Sequence, residues 1–158
     1  MTILSTEIEI HAPAERVWAI LSDFEAYPTW NPFIRQIGGP LKVGASLDAE
    51  LQPPGSRGMH IRPVVQTVEP NRELSWLGRL FGIPHIFDGR HAFFIEPLSV
   101  DGVRFVQQET FKGLLVPLAG GLLSATERGF EAMNRALRER AEHEAVREGG
   151  PETASAGA

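Results

Sequence analysis

The sequence predicts an α+β domain in which a long C-terminal helix packs against an antiparallel sheet. Between residues 30 and 112, apolar and polar residues alternate in segments separated by short turns rich in Gly, Pro and Asn. Strands joined by short turns form antiparallel sheets. After Gly113 the apolar residues recur every three or four positions instead, which is the helical period. A long helix with one apolar face is best buried against the concave face of a twisted sheet.

The N-terminal elements are a strand and two short helices. Alternation over 2–10 indicates a half-buried or edge strand. Pro13 favours a helix that begins there, because proline is common at the first helical position. A second short helix is expected over 24–27, stopped by Pro28.

Six further strand patterns follow, each bounded by turn residues. The expected segments are 33–37, 46–52, 59–69, 73–81, and two strands that include 90–96 and 104–112. Asp101-Gly102 marks the turn of the last hairpin. With the N-terminal strand, the pattern gives seven strands.

The C-terminal helix is expected over 118–142. Its apolar stripe is Leu118, Leu122, Thr126, Phe130, Met133, Leu137 and Ala141. Two starts are compatible with the sequence: a capping box at Ser124-x-x-Glu127, or a start near Pro117 with a bend at Gly120-Gly121. The earlier start is favoured. The last ten residues carry few bulky side chains, which predicts one domain over 1–148 and a disordered tail over 149–158.

Composition excludes several classes of function. The net charge is −5 with mixed signs, which argues against nonspecific nucleic-acid binding. The absence of cysteine excludes disulfides, zinc–thiolate sites and cysteine nucleophiles. Glu7 and Glu9 interrupt any signal-peptide pattern, and the longest apolar stretch, 114–123, is too short to span a bilayer. A cytoplasmic location is the default expectation, and the oligomeric state stays open.

His91 and Glu109 are polar residues on the apolar faces of the last two strands. A hairpin centred on Val100 pairs residues whose numbers add to 200, which places His91 opposite Glu109 and Phe93 opposite Gln107. Such cross-strand neighbours lie about 5 Å apart. An imidazole, a carboxylate and an amide would therefore meet inside a hydrophobic shell. Because unpaired polar groups are costly in a sealed core, this cluster favours a ligand pocket.

Several stretches together resemble the START-like (SRPBCC, Bet v 1-like) superfamily, in its bacterial polyketide cyclase/dehydrase-like branch. The resemblance spans about residues 1–148. It rests on Ile10-His11-Ala12-Pro13-Ala14-Glu15-Arg16-Val17-Trp18, Asp23, Tyr27-Pro28-Thr29-Trp30-Asn31-Pro32-Phe33, Glu69-Pro70-Asn71-Arg72-Glu73-Leu74-Ser75-Trp76, Gly113-Leu114-Leu115-Val116-Pro117-Leu118 and Arg128-Gly129-Phe130-Glu131-Ala132-Met133-Asn134. It implies a helix-grip fold: a curved seven-stranded antiparallel sheet around the C-terminal helix, with a hydrophobic cavity between them.

The resemblance and the polar cluster favour binding of a small, mostly apolar ligand, either lipid-like or aromatic. The expected ligand contacts are Trp30, Trp76, His91, Phe93, Gln107, Glu109, Phe111, Phe130 and Met133. Each of the aromatic and aliphatic side chains could instead belong to the hydrophobic core. Trp30 could pack beneath its loop rather than close the mouth of the cavity.

Three alternatives stay open at this point. His91 and Glu109 could be a structural pair, or the acid and base of a cyclase or dehydrase. The protein could also be an interaction module without a ligand.

His85-x-x-Asp88-x-x-His91 is not expected to bind metal, because position 88 faces away from position 91 on a strand. No phosphate-binding, dinucleotide or nucleophile-elbow motif is present, so no cofactor is expected.

Overall fold

The computed structural model describes residues 1–148, and the predicted disordered tail lies outside the described residues. The strands are β1 (Thr2–Ile10), β2 (Ile34–Gly38), β3 (Asp48–Leu51), β4 (Met59–Ile61), β5 (Val64–Glu69), β6 (Glu73–Arg79), β7 (Asp88–Ser99) and β8 (Gly102–Lys112). The helices are α1 (Ala14–Ser22), α2 (Tyr27–Trp30) and α3 (Gly120–Glu148). Single 3-10 turns occupy Phe24–Ala26, Leu80–Gly82 and Val116–Leu118.

All strand pairings within the sheets are antiparallel, as predicted. Five strands follow the order β1-β8-β7-β6-β5, and β2-β3-β4 form a three-stranded extension. The two parts meet where Ser46 bridges Val64 and where the Leu47 N–H donates to the Pro63 carbonyl oxygen at 2.8 Å. The long helix α3 lies against the large sheet, and the expected helix-grip architecture is confirmed.

The structure has eight strands where the sequence pattern gave seven. The expected strand over 59–69 is divided at Pro63, so that β4 pairs with β3 and β5 pairs with β6. Proline has no N–H to donate to a ladder, which explains why the strand is interrupted there. The predicted strand over 73–81 also ends earlier, at Arg79, where the chain enters a 3-10 turn.

Two predictions about proline and helix starts were wrong. Pro28 does not stop a helix but lies in the first turn of α2, where its missing N–H leaves no helical hydrogen bond unmade. Pro13 is the residue before the first turn of α1 rather than its first residue.

The long helix begins at Gly120, close to the earlier of the two starts considered. Leu118 lies in the preceding 3-10 turn and is 83% exposed, so the buried stripe starts further along the helix than predicted. The Ser124 hydroxyl donates to the Gly120 carbonyl oxygen, which is a contact inside a helix and not a cap. The helix therefore does not begin at the capping box, and the favoured earlier start agrees with the structure.

The core lies between the large sheet and α3. Phe130, Met133, Leu137 and Ala141 of α3 are all fully buried. The rings of Phe33 and Phe130 meet edge to face at 5.4 Å. Gly129 lies beneath the Phe33 ring, which occupies the space that a β-carbon would need. Because Gly129 has no side chain, α3 packs closely against the residue that precedes β2.

Candidate functional site

The last hairpin has the predicted register. His91 is paired with Glu109, and Phe93 is paired with Gln107, between β7 and β8. The one irregularity in this pairing lies between Pro97 and Ser99, near the turn, so it does not shift the inner part of the hairpin. The His91 ring points toward α3, with its centroid 4.8 Å from that of Phe130. The predicted inward orientation of His91 is confirmed.

His91 is enclosed by aromatic rings. Its side chain is 5% exposed, and its ring centroid lies 4.5 Å from Phe93 and 5.5 Å from Trp76. Its Nδ1 atom lies 3.4 Å from the Glu109 carboxylate, which is longer than most hydrogen bonds. Its Nε2 atom is buried and has no hydrogen-bond partner among the described residues.

Glu109 fits beside His91 because Gly89, which is paired with Phe111 and lies diagonally across from Glu109 on β7, has no side chain. A β-carbon at Gly89 would come within 2.5 Å of one Glu109 carboxylate oxygen. The Glu109 side chain is 16% exposed, so its carboxylate keeps limited access to water while the imidazole has almost none. The pair therefore spans the boundary between the aromatic interior and the solvent.

Gln107 belongs to a chain of polar side chains between sheet and helix. Its amide nitrogen donates to the Asn134 side-chain oxygen at 2.8 Å and lies 3.4 Å from the Phe130 carbonyl oxygen. The Asn134 amide in turn donates to the Thr6 hydroxyl at 2.9 Å. The Gln107 side-chain oxygen is buried and unpaired among the described residues. This chain fixes α3 on β8 and β1 while it leaves one acceptor free in the interior.

Asn134 was missed by the sequence analysis, although a signal for it exists. It is 2% exposed and lies four residues after Phe130, inside the buried face of α3. A polar residue on an apolar helical stripe is the same signal that singled out His91 and Glu109 on the strands.

The structure brings most of the expected site residues together. Trp76 is 3% exposed and contacts both His91 and Phe93, while Phe130 and Met133 are fully buried on α3. Phe111, two residues beyond Glu109 on β8, is 5% exposed, and its ring contacts that of Phe87 at a centroid distance of 5.4 Å and a tilt of 52°. The Phe87–Phe111 pair covers the end of the hairpin that lies farthest from its turn.

Trp30 is placed apart from this cluster. It contacts the Tyr27 ring at 5.2 Å and lines a depression of about 170 Å³ between the short helices and α3, together with Asp23 and Arg140. Its indole nitrogen is buried and unpaired among the described residues. The neighbouring Tyr27 donates its hydroxyl to the Leu21 carbonyl oxygen, and burial raises its pKa far above the usual value.

The space beside His91 is occupied by side chains. Two depressions in the surface of the described residues lie elsewhere: one is beside Trp30, and the other is on the outer face near Glu73 and Phe94. The described part of the chain contains no group of three or more metal-ligating side chains and no helix able to cross a membrane.

A family model shows the family of the chain, and solved structures agree with its fold. A family model described as "Polyketide cyclase / dehydrase and lipid transport" matches residues 1–142. No curated protein sequence matches the chain. A START superfamily protein from Mycobacterium smegmatis is similar in structure, with a TM-score of 0.72 and 23% identity over 89% of this chain and 97% of that chain.

Two solved enzymes share the fold at lower identity. The Zhui aromatase/cyclase from Streptomyces sp. R1128 has a TM-score of 0.74 and 17% identity, over 95% of this chain and 99% of that one. A norcoclaurine synthase mutant from Thalictrum flavum, in complex with a transition-state analogue, has a TM-score of 0.64 and 17% identity, over 90% and 96% of the two chains. At these identities the likeness establishes the fold alone.

Proposed function

The chain belongs to the polyketide cyclase/dehydrase and lipid-transport family, and on that premise we propose that it binds a small, mostly apolar molecule between its sheet and α3. The ligand is lipid-like or aromatic and carries one or two polar groups. Aromatic and aliphatic side chains contribute most of the affinity, and His91, Gln107 and Glu109 orient the polar end. A cytoplasmic location is part of the same proposal.

The observation that carries this proposal is the pair of unpaired polar atoms in the aromatic interior. The Nε2 atom of His91 and the side-chain oxygen of Gln107 are both buried without a partner among the described residues. Each such atom costs about 1–3 kcal/mol, and native cores avoid them. Since His91 and Gln107 face the same interior from neighbouring strands, one bound molecule can supply the missing hydrogen bonds to both.

Binding at this place requires side chains to move, because the interior beside His91 is filled. Phe130 of α3 contacts the His91 ring, and Met133, three residues further along the helix, is fully buried in the same hydrophobic core. Methionine has an unbranched, adaptable side chain that repacks at low cost, which suits a site that opens for a ligand. We therefore place the ligand where Phe130 and Met133 now contact the sheet.

The experiment is titration of the protein with N-phenyl-1-naphthylamine, a neutral apolar fluorophore. We expect saturable binding of one probe per chain. Met133→Trp, which fills the proposed volume, should weaken this binding at least tenfold. Arg135→Trp, on the exposed face of the same helix, is the matched control and should leave binding unchanged. Native mass spectrometry of the purified protein would identify any molecule that the site retains.

The proposal fails if no apolar probe saturates the folded protein, or if Met133→Trp and Arg135→Trp bind the probe as the unaltered protein does. In that case His91 and Glu109 form a structural pair, and an interaction module without a ligand is the function that remains.

A cyclase or dehydrase is the second candidate, and the geometry of His91 favours it specifically. With its proton on Nδ1, facing the Glu109 carboxylate, the imidazole directs the Nε2 lone pair into the aromatic interior. This is the arrangement of a general base held by an orienting carboxylate. The interior would hold the substrate in a reactive shape. His91→Ala should then abolish ring closure of a poly-β-keto thioester while the thioester still binds. Equal loss of binding and turnover would contradict the catalytic role.

A further inference from the structure

The protein exposes a cluster of large apolar side chains at one end of the fold. The cluster comes from two loops: the one after β6 and the one after β8. We call it the loop-tip patch, and its members are Leu80, Phe81, Ile83, Leu114, Leu115 and Leu118. Phe81, Leu118 and Leu114 are 85%, 83% and 78% exposed. Six of the twelve large apolar side chains that the described residues expose lie in these two loops, so the exposure is concentrated rather than scattered.

The two loops are fastened to each other beneath the patch. The backbone N–H groups of Leu114 and Leu115 donate to the carbonyl oxygens of His85 and Ile86, each at 3.1 Å. Gly113, with φ of +133°, lies directly on the Ile86 carbonyl, where no other residue would fit. Val116, between the exposed leucines, is buried and anchors its loop. These hydrogen bonds and the buried Val116 fix the backbone of the two loops, so the apolar side chains at their tips stay exposed.

The two segments that carry the patch contain basic side chains and no acidic ones. Residues 79–87 and 112–123 include Arg79, His85 and Lys112 but no aspartate or glutamate, in a chain whose net charge is −5. Asp88, the next carboxylate along the chain, is the cross-strand neighbour of both Arg79 and Lys112, lies 3.8 Å from Arg79 and accepts the His85 backbone N–H. Asp88 therefore offsets the charge of Arg79, and Lys112 supplies the net positive charge at the margin of the patch. Exposed apolar tips with a basic margin are the combination that binds a bilayer carrying anionic lipids.

We propose that the loop-tip patch docks the protein on the surface of an anionic phospholipid bilayer. Phe81, Leu114 and Leu118 enter the boundary between headgroups and acyl chains. Lys112 lies at headgroup level, where it attracts anionic lipids, whereas the charge of Arg79 is offset by Asp88. A second protein is a less suitable partner, because the most exposed side chains lie at the tips of two loops and not on a helix or sheet face.

The same end of the fold leads toward the polar cluster in the interior. From the loops, β7 and β8 run inward past Phe87 and Phe111 to the His91–Glu109 pair. Docking would therefore bring this end of the sheet–helix interior to the lipid surface. The proposal goes beyond ligand binding and does not depend on it, since docking is measured on vesicles without any added ligand.

The experiment is flotation of the protein with vesicles. One set contains phosphatidylcholine and phosphatidylglycerol, and the other contains phosphatidylcholine alone. We expect flotation with the anionic vesicles, weakening as salt is raised. Phe81→Asn with Leu118→Gln should reduce binding more than about tenfold, because two apolar tips are lost. Lys112→Gln should reduce it about fivefold on anionic vesicles alone.

The chain offers a matched control at the opposite end of the same hairpin. Leu98 and Val100 are 56% and 86% exposed at the β7–β8 turn. Leu98→Gln with Val100→Asn removes a similar exposed apolar area and should leave flotation unchanged. As a direct reporter, Phe81→Trp should shift its fluorescence to the blue on vesicles, whereas Val100→Trp should not.

The proposal is overturned if the protein floats with neither vesicle set, or if the two double variants lose binding equally. It is also overturned if the unaltered protein does not bind vesicles but forms a dimer, while the Phe81/Leu118 double variant is a monomer. The patch is then a subunit interface. Unchanged binding of the apolar fluorophore by this double variant would show that loss of docking and loss of the interior site are separate events.

Discussion

Replacing His91 with phenylalanine distinguishes between two roles of this residue, as part of a ligand site or as part of a structural ion pair. The imidazole makes one polar contact, to Glu109 at 3.4 Å, and leaves Nε2 buried and unpaired. An unpaired buried donor or acceptor costs about 1–3 kcal/mol, whereas a long contact to a partly exposed carboxylate contributes at most about 1 kcal/mol. Phenylalanine keeps the ring contacts with Trp76, Phe93 and Phe130 and removes the unpaired atom. His91→Phe should therefore raise the free energy of unfolding by about 1–2 kcal/mol, or leave it unchanged if the larger ring is slightly strained.

The assay is urea denaturation followed by circular dichroism, with Gln107→Leu as the contrasting variant. That change removes the unpaired Gln107 oxygen but leaves the Asn134 side-chain oxygen buried without its donor, so the number of unpaired atoms does not fall. Only the lost hydrogen bond remains, which should lower the free energy of unfolding by about 1 kcal/mol. If His91→Phe instead lowers the free energy of unfolding by more than about 1 kcal/mol, the imidazole holds the fold together through Glu109. In that case the unpaired atom of His91 does not mark a ligand site.

Two further predictions concern stability. The pKa of the buried Tyr27 is raised in the folded state, so its contribution to stability is complete below the ordinary tyrosine pKa of about 10 and is lost as the pH rises above it, by up to about 1.4 kcal/mol per pH unit. Urea denaturation between about pH 9 and 11.5 measures this loss, and Tyr27→Phe, which removes the only phenol of the chain, should flatten it. Gly129→Ala should lower the free energy of unfolding by about 1–2 kcal/mol, because the new methyl group meets the buried Phe33 ring. Gly121→Ala, in open space on the same helix, should instead raise it by up to about 1 kcal/mol; equal effects of the two substitutions would contradict the packing described at Gly129.

The parts of the structure that follow from local rules could be predicted from the sequence. Strand alternation and the Asp101-Gly102 turn fix the register of the last hairpin, because a one-residue shift of either strand would turn His91 or Glu109 to the outer face. The helical period after Gly113 identifies α3 in the same way. Both features depend on residues close in sequence or on a single tight turn.

The wrong predictions concern sequence signals, such as a proline, that are compatible with two different local structures. Pro63 divides a strand and Pro28 begins a helix, and only the neighbouring chain decides which effect a proline has. The contact between the loops after β6 and β8 is also not visible in the sequence. It depends on the hydrogen bonds of Leu114 and Leu115 to residues about thirty positions earlier, which form only when the sheet brings the strand ends together.

The unpaired atoms also restrict the chemistry of the ligand under the proposed function. A glutamine side-chain oxygen can only accept a hydrogen bond, so the group that meets Gln107 must donate one. With Nδ1 protonated toward Glu109, His91 Nε2 accepts as well, and the ligand must again donate. A ketone or an ether offers no donor and leaves both atoms unpaired, whereas a hydroxyl or an amide N–H satisfies one of them. Because leaving such an atom unpaired costs about 1–3 kcal/mol, a hydroxylated ligand should bind about ten- to a hundredfold more tightly than its methyl ether. His91→Phe removes one of the two acceptors, so it should reduce this preference while the affinity for the ether stays nearly constant.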